Sequence, residues 1–402
     1  VVIDGNATTT GGTMGTTRRR TATLTAALLG TTLAATIALT GTAGADAAVA
    51  TPASHASQPL QDSLDALVTD DGFPGVLAAV RSTDGRITDY TAGVQDLESG
   101  RAIRPDGRVR IASNTKTFTA TVVLQLVGEG KVSLDEPVET YLPGVVRGPG
   151  GDGRSITVRQ LLQQTSGLPD YDTLVLGTDL IEVRHTYFEP MQLVDAALGQ
   201  PAGFAPGTRW EYSNTNYVLA GLIVQRVTGR PIGEQITERI IDRIGLHDTY
   251  WPTTGEQEIR GGHPQGYHAN EPGDPWVDVS DTDPSLGWAA GQLVSTPSDL
   301  AHFLSALVGG ELLAPAELAE METTVPAPGF EPDGTWEYGL GLARHTLSCG
   351  VEAWGHGGDI QGFETRNLAT SERAAVVATT ALPTSLEALG RVTAAVDTAL
   401  CS

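Results

Sequence analysis

Ser113 and Lys116 stand three residues apart in Ile111-Ala112-Ser113-Asn114-Thr115-Lys116, just ahead of an apolar run from Thr117 to Gly128. In that run Phe118, Val122 and Leu126 recur at four-residue spacing beside Val123 and Val127, which predicts a buried helix. Residues three apart share one face of a first turn, so a hydroxyl and an amine are expected to meet at the positive end of this helix. Burial and the positive helix end both disfavour an ammonium, while the same field stabilises an alkoxide. Ser113 is therefore a candidate nucleophile and Lys116 its base. The chain has only two lysines, Lys116 and Lys131, in a background of arginine. Arginine cannot give up its proton and cannot replace a base. Lys131, after Gly128-Glu129-Gly130, reads as a helix-end cation. Ser-x-x-Lys alone equally fits a capping serine with a surface lysine, so the rest of the chain has to decide.

The elements that must hold these groups come from both ends of the chain. Gly75 to Val80 and Arg86 to Thr91 flank Asp84-Gly85 and predict a hairpin, preceded by a helix with a Leu60, Leu64, Leu67 stripe. Strands are predicted again at Tyr338 to Leu342, Val351 to Trp354, Thr365 to Ala369 and Ala374 to Thr379, with a last helix from Ser385 to Leu400. The expected architecture is α+β: a five-stranded antiparallel sheet (about 59–112 and 285–402) flanked by the terminal helices, with an inserted, mostly helical lobe (about 113–284). The active site is expected in the cleft between them. The insertion carries Ile156 to Leu162 leading to Thr165-Ser166-Gly167-Leu168, then Trp210-Glu211-Tyr212-Ser213-Asn214 and a second buried helix from Tyr217 to Val227.

At 402 residues and a net charge of −23, the chain has no basic patch for nucleic acid or an anionic membrane. Residues 1–13 read as an upstream extension. Residues 14–47, with Arg18-Arg19-Arg20, an uncharged Ala/Leu/Thr stretch and Ala45-Asp46-Ala47, read as a secretory signal, leaving a domain over 48–402 and a secreted product with no membrane contact. Two cysteines, Cys349 and Cys401, are then expected to form a disulfide. Gly148 to Gly153 lacks the Lys-Ser/Thr ending of a phosphate loop, and His263 and His268 lack a metal-ligand spacing with a nearby acid. No cofactor and no metal are expected.

Ser113-Asn114-Thr115-Lys116, Tyr212-Ser213-Asn214 and His356-Gly357-Gly358, in that order, resemble the class C β-lactamase and DD-carboxypeptidase family of penicillin-recognising serine hydrolases, with the secreted D-alanyl-D-alanine carboxypeptidases most similar. The resemblance implies that Ser113 is acylated, that Lys116 takes or relays its proton, and that Tyr212, as phenolate or hydrogen-bonded relay, passes it to the leaving group. It implies that Asn214 contacts the acyl part and that the His356 strand contributes the Asp359 N–H, with that of Ser113, to an oxyanion hole. Lys116 or His356 is the cation expected to lower the Tyr212 pKa.

Gly357 and Asp359 depart from the family's threonines, and Ala343 stands where related chains have arginine, with Arg344 one residue along. Those positions hold a terminal carboxylate in the family. The expected function is a monomeric serine carboxypeptidase acting on small D-amino-acid peptides, with β-lactams as inhibitors or substrates. A D-aminopeptidase, amidase or esterase is the alternative enzyme, and a penicillin-sensor-like binding domain the non-enzymatic one.

Overall fold

The hairpin forms where Asp84-Gly85 allows it: Gly85 takes φ 81° and the flanking strands β1 (Gly75–Arg81) and β2 (Ile87–Asp96) pair antiparallel, Val76 against Ala92. This is a computed structural model describing residues 58–171, 180–269 and 273–402. The expected extension and signal segment lie outside the described residues. Ahead of the hairpin is α1 (Gln58–Thr69), which buries Leu60, Leu64 and Leu67; a short β3 (Arg101–Ala102) follows it. Three helices matter for the middle of the chain: α2 (Thr115–Gly128), α3 (Asn214–Thr228) and α4 (Pro297–Val308). Then come β4 (Val325–Pro326), β5 (Glu337–Tyr338), β6 (Ala343–Thr346), β7 (Glu352–Gly355), β8 (Gly358–Ile360), β9 (Phe363–Ala369), β10 (Ala374–Thr379) and α5 (Leu386–Cys401).

The sheet has ten strands rather than five, in the order β3-β2-β1-β10-β9-β7-β6-β5-β4, with β8 also on β9. All its pairs are antiparallel. The strands not expected are two to four residues long, too short for alternation to show in sequence, and the one expected at Tyr338 to Leu342 is confined to Glu337–Tyr338. The two chain ends meet at the centre, where β1 and β10 pair from Val76–Thr379 to Arg81–Ala374.

Both faces of these central strands are covered, so they read as continuous apolar runs. On one face Val76, Ala78, Val80 and Val377 pack with Leu64 of α1 and Val392 and Val396 of α5. On the other, Leu77, Val376 and Ala378 join Leu300, Phe303 and Leu304 of α4 in a core that continues into the helical lobe. Ser385 caps α5, its Oγ accepting from the Ala388 N–H at 3.1 Å. Arg391 of α5 is paired with Asp71 after α1, and a Cys349–Cys401 disulfide ties the end of α5 to the β6–β7 turn.

At the centre of the second core lies α2. Phe118, Val122, Val123, Leu124 and Leu126 are all buried, and so are its threonines. A helix buried all round must satisfy its polar side chains internally. Thr117 accordingly donates to the Gly341 carbonyl at 2.7 Å and Thr119 to that of Ala289 at 2.8 Å. Among the described residues no helix is long and apolar enough to cross a membrane.

Candidate active site

Ser113 sits in a single 3₁₀ turn, Ala112–Asn114, that feeds directly into α2. The preceding Ala112 is held at φ 43°, in the left-handed region that alanine rarely adopts. What over-determines this turn is a buried amide network. Asn114 Nδ2 donates to the Ile111 carbonyl at 2.8 Å and to Thr365 Oγ1 at 2.5 Å. Its Oδ1 accepts from Asn367 Nδ2 at 2.5 Å, and Asn367 Oδ1 accepts from the His356 N–H at 3.1 Å. The turn is thereby fixed to β9 and to the segment that leads into β8.

Lys116, one turn into the helix and fully buried, places Nζ 2.9 Å from Ser113 Oγ. Nζ also donates to Asn214 Oδ1 at 2.6 Å and to the Ala290 carbonyl at 2.8 Å. Both of those partners can only accept. A neutral amine has two N–H donors and one lone pair. Donation to Asn214 and Ala290 holds the amine against Ser113 Oγ, the group whose proton it would take. Asn214 is oriented for this by Asp170, whose Oδ2 accepts from the Asn214 backbone N–H at 3.0 Å and from Nδ2 at 3.1 Å. That contact leaves Oδ1 for the lysine.

The Tyr212 side chain interacts with Ser113, and its ring lies 4.9 Å from Lys116 Nζ. Trp210, Phe330 and His356 surround the ring. Burial pushes the phenol well above its ordinary range, against the pull of the Ser113 hydrogen bond. Tyr212 therefore stays protonated at neutral pH and works as a phenol, which sets aside the phenolate option.

His356 is not a cation either. It is buried, and desolvation pushes its pKa down to about 3. Its Nδ1 lies 2.6 Å from the Gly357 carbonyl, which can only accept, so Nδ1 carries the hydrogen. Nε2 then accepts from the Tyr338 hydroxyl at 2.9 Å. With both nitrogens engaged by protein, His356 holds the strand rather than moving protons.

Gly358 follows from close approach, since a Cβ there would fall on the Ile111 carbonyl and lie 2.6 Å from Asn114 Nδ2. The same approach sets β8 against the Ser113 turn. Asp359 is engaged by Arg366, whose Nη1 donates to Oδ1 at 3.0 Å. Arg344 is held by Glu337 and Glu352 on neighbouring strands and lines neither cavity at Ser113. The structure thus gathers Ser113, Lys116, Tyr212, Asn214, His356, Gly357, Gly358 and Asp359, and sets Arg344 apart. Asp170, Gln164 and Ala290 were not singled out by sequence. Gln164, at φ 63°, accepts from Ser213 N–H and Asn216 Nδ2 and so fixes the Tyr212 segment; nothing in its sequence context signals this.

Among the described residues, two of the cavities open on Ser113. One, of about 210 Å³, is bounded mainly by apolar atoms of Tyr171, Val183, Leu286, Ile360 and Leu382. The other, of about 340 Å³, contains Tyr212, His356, Asp170, Glu331, Asp359 and Arg366.

A serine whose hydroxyl is shared by a buried lysine and a tyrosine can be deprotonated, acylated and released, and on this sheet-and-helix frame it defines a serine hydrolase of the β-lactamase and DD-peptidase kind. The chain belongs to the beta-lactamase family, whose pattern it matches over residues 60–399. It is similar in structure to the D-stereospecific amidohydrolase from a Streptomyces species, at 40% identity and TM-score 0.76 over 84% of this chain and 97% of that one. It is likewise similar to the D-amino acid amidase from Ochrobactrum anthropi SV3, at 30% identity and TM-score 0.76 over 86% and 97%. Protein flp from Staphylococcus aureus (strain MW2) is 33% identical over 162 residues, but the chain spans only 32% of that protein's length, and 40% of its own.

Proposed function

We propose that this protein is a D-stereospecific amidase or peptidase that works through an acyl-enzyme on Ser113. The observation that carries the reading is the buried Lys116 amine, 2.9 Å from Ser113 Oγ and oriented by Asn214 Oδ1 and the Ala290 carbonyl. Lys116 takes the proton as Ser113 Oγ attacks the carbonyl, and the N–H groups of Ser113 and Asp359 receive the negative charge that develops on the carbonyl oxygen. Tyr212, bonded to Ser113, gives its proton to the departing amine and is reprotonated from Lys116. Water then repeats the cycle on the ester, returning the proton to Ser113.

Because Tyr212 borders the polar cavity, the leaving group departs there and the D-amino-acid side chain occupies the apolar one. Amidase is favoured over carboxypeptidase because Arg344 is committed to Glu337 and Glu352 and no side chain projects from Gly357. The names of the two structural relatives point the same way. We place the protein outside the cytoplasm, in keeping with the disulfide.

The test is hydrolysis of D- and L-phenylalaninamide by wild type and Ser113→Ala, with intact-mass measurements over time. Turnover of the D-amide alone, a transient acyl adduct and loss of both in Ser113→Ala are expected. A persistent adduct without turnover would make it a sensor, and unchanged turnover in Ser113→Ala would remove the mechanism.

A further inference from the structure

The side chain of Arg366 is only 7% exposed and faces three carboxylates: Glu331 at 3.2 Å, Asp359 at 3.0 Å and Glu364 at 3.5 Å. Two of these acids have given up water, Glu331 being 5% exposed and Glu364 0%. Among the described residues neither Glu364 oxygen has a hydrogen-bond partner, which a protein interior rarely tolerates. One guanidinium cannot balance three carboxylates, so the fully ionised cluster is negative. Its Glu331, Asp359 and Arg366 line the cavity that holds Tyr212.

Arg366 also occupies the room that a side chain at position 357 would need. A Cβ on Gly357 would lie 2.6 Å from its Nη1 and 3.0 Å from Cζ. The bare position 357 and the buried guanidinium are therefore one feature: Arg366, already held by its own acids, takes the room of a side chain there.

We propose that Arg366, seated against Gly357 and held by Glu331, Glu364 and Asp359, is the specificity determinant on the leaving side of Ser113, selecting cationic or neutral leaving groups over those that end in a carboxylate. An entering carboxylate meets the half-exposed Asp359 and a guanidinium shared among three acids. An entering ammonium meets Asp359 and Glu331 as partners. The proposal rests on the acyl-enzyme reading only for the nucleophile and for the side on which the leaving group departs.

The preference depends on pH. Burial pushes Glu331 up to about 7, opposed by Arg366 and reinforced by Asp359 and Asp333. Burial also raises Glu364, again opposed by Arg366 and reinforced by Asp359 and Glu331. Both acids are neutral in mild acid and ionise as the solution becomes alkaline, so the cluster's negative charge and the discrimination grow in that direction.

The experiment compares kcat/KM for three esters of D-phenylalanine, with choline, methanol and glycolic acid as leaving groups, near pH 6 and near pH 9, after subtracting the Ser113→Ala background. Wild type is expected to rank choline over methyl over glycolate, with at least a roughly tenfold span from first to last in alkali. Glu331→Gln should narrow that span about fivefold and flatten its pH dependence. Equal rates for the three esters, a glycolate preference, or a span unaffected by both pH and Glu331→Gln would overturn the proposal. D-Phenylalaninamide, assayed alongside, reports separately on the amidase reading: its failure with the charge order intact would leave an esterase carrying this selectivity.

Discussion

Putting threonine at position 357 should damage the protein rather than restore the strand of its relatives. The backbone of Gly357 is outside the left-handed region, so the substitution has no conformational penalty of its own. Its cost runs through Arg366, whose Nη1, Cζ and Nε would lie 2.6, 3.0 and 3.3 Å from the new Cβ. The end of a long side chain usually yields to such a clash, but this one is 7% exposed and fixed by three carboxylates. Displacing it leaves Glu331 and Glu364 buried without their counter-charge, and breaking one side of a buried pair costs about 3–5 kcal/mol.

The acids have an escape, because a carboxyl raised to about 7, as Glu331 is, can stay protonated in mild acid. The penalty near pH 6 should then shrink to the steric part, about 1–3 kcal/mol. Urea unfolding of wild type and Gly357→Thr near pH 6 and pH 9 should show the larger loss in alkali. Adding Glu364→Gln to Gly357→Thr should recover part of the alkaline loss. A variant as stable as wild type at both pH values, or equally destabilised at both, would refute the coupling of Gly357 to the charge cluster.

Lys116→Arg should lower kcat about 10²- to 10⁴-fold, since the guanidinium cannot accept a proton; kcat, with circular dichroism to confirm folding, checks it. Tyr212→Phe should cost roughly a hundredfold on D-phenylalaninamide and far less on an aryl ester, whose leaving group departs without a proton. Equal losses on both would remove Tyr212 from proton delivery. Reducing Cys349–Cys401, which closes a separation of 52 residues, should lower stability by roughly 4 kcal/mol while fluorophosphonate labelling of Ser113 persists.

Local patterns in the chain exposed its local structure well. The Ser113–Lys116 spacing, the buried run after it, the β10 strand at Ala374–Thr379 and the Ser385 cap are all written within a few residues of where they act. What stayed hidden depends on partners far away in sequence. The acceptors that orient Lys116 lie 98 and 174 residues from it. The motif order located His356, but only its burial and its Tyr338 contact reveal a neutral ring that holds a strand. Arg344 looked like a ligand-facing cation because its cross-strand acids, Glu337 and Glu352, cannot be recognised until register is known. The same holds for Arg366, whose place under Gly357 comes from β9 running beside β8.

The pairing of β1 with β10 bears on how the protein is made. Val76 cannot meet Thr379 until almost the whole chain has left the ribosome, which at about 5–20 residues per second means a wait of tens of seconds. During that time the β1–β2 hairpin offers an apolar, unpaired edge, the kind of surface that recruits other chains. The helices around α2 and α3 precede β10 in the chain, although their core also takes in Val376 and Ala378 of β10. Synthesis therefore passes through a stage with these helices made and the half-sheet open. A nascent chain stalled before β8 would carry its nucleophile and base but not the strand proposed to supply half of the oxyanion hole.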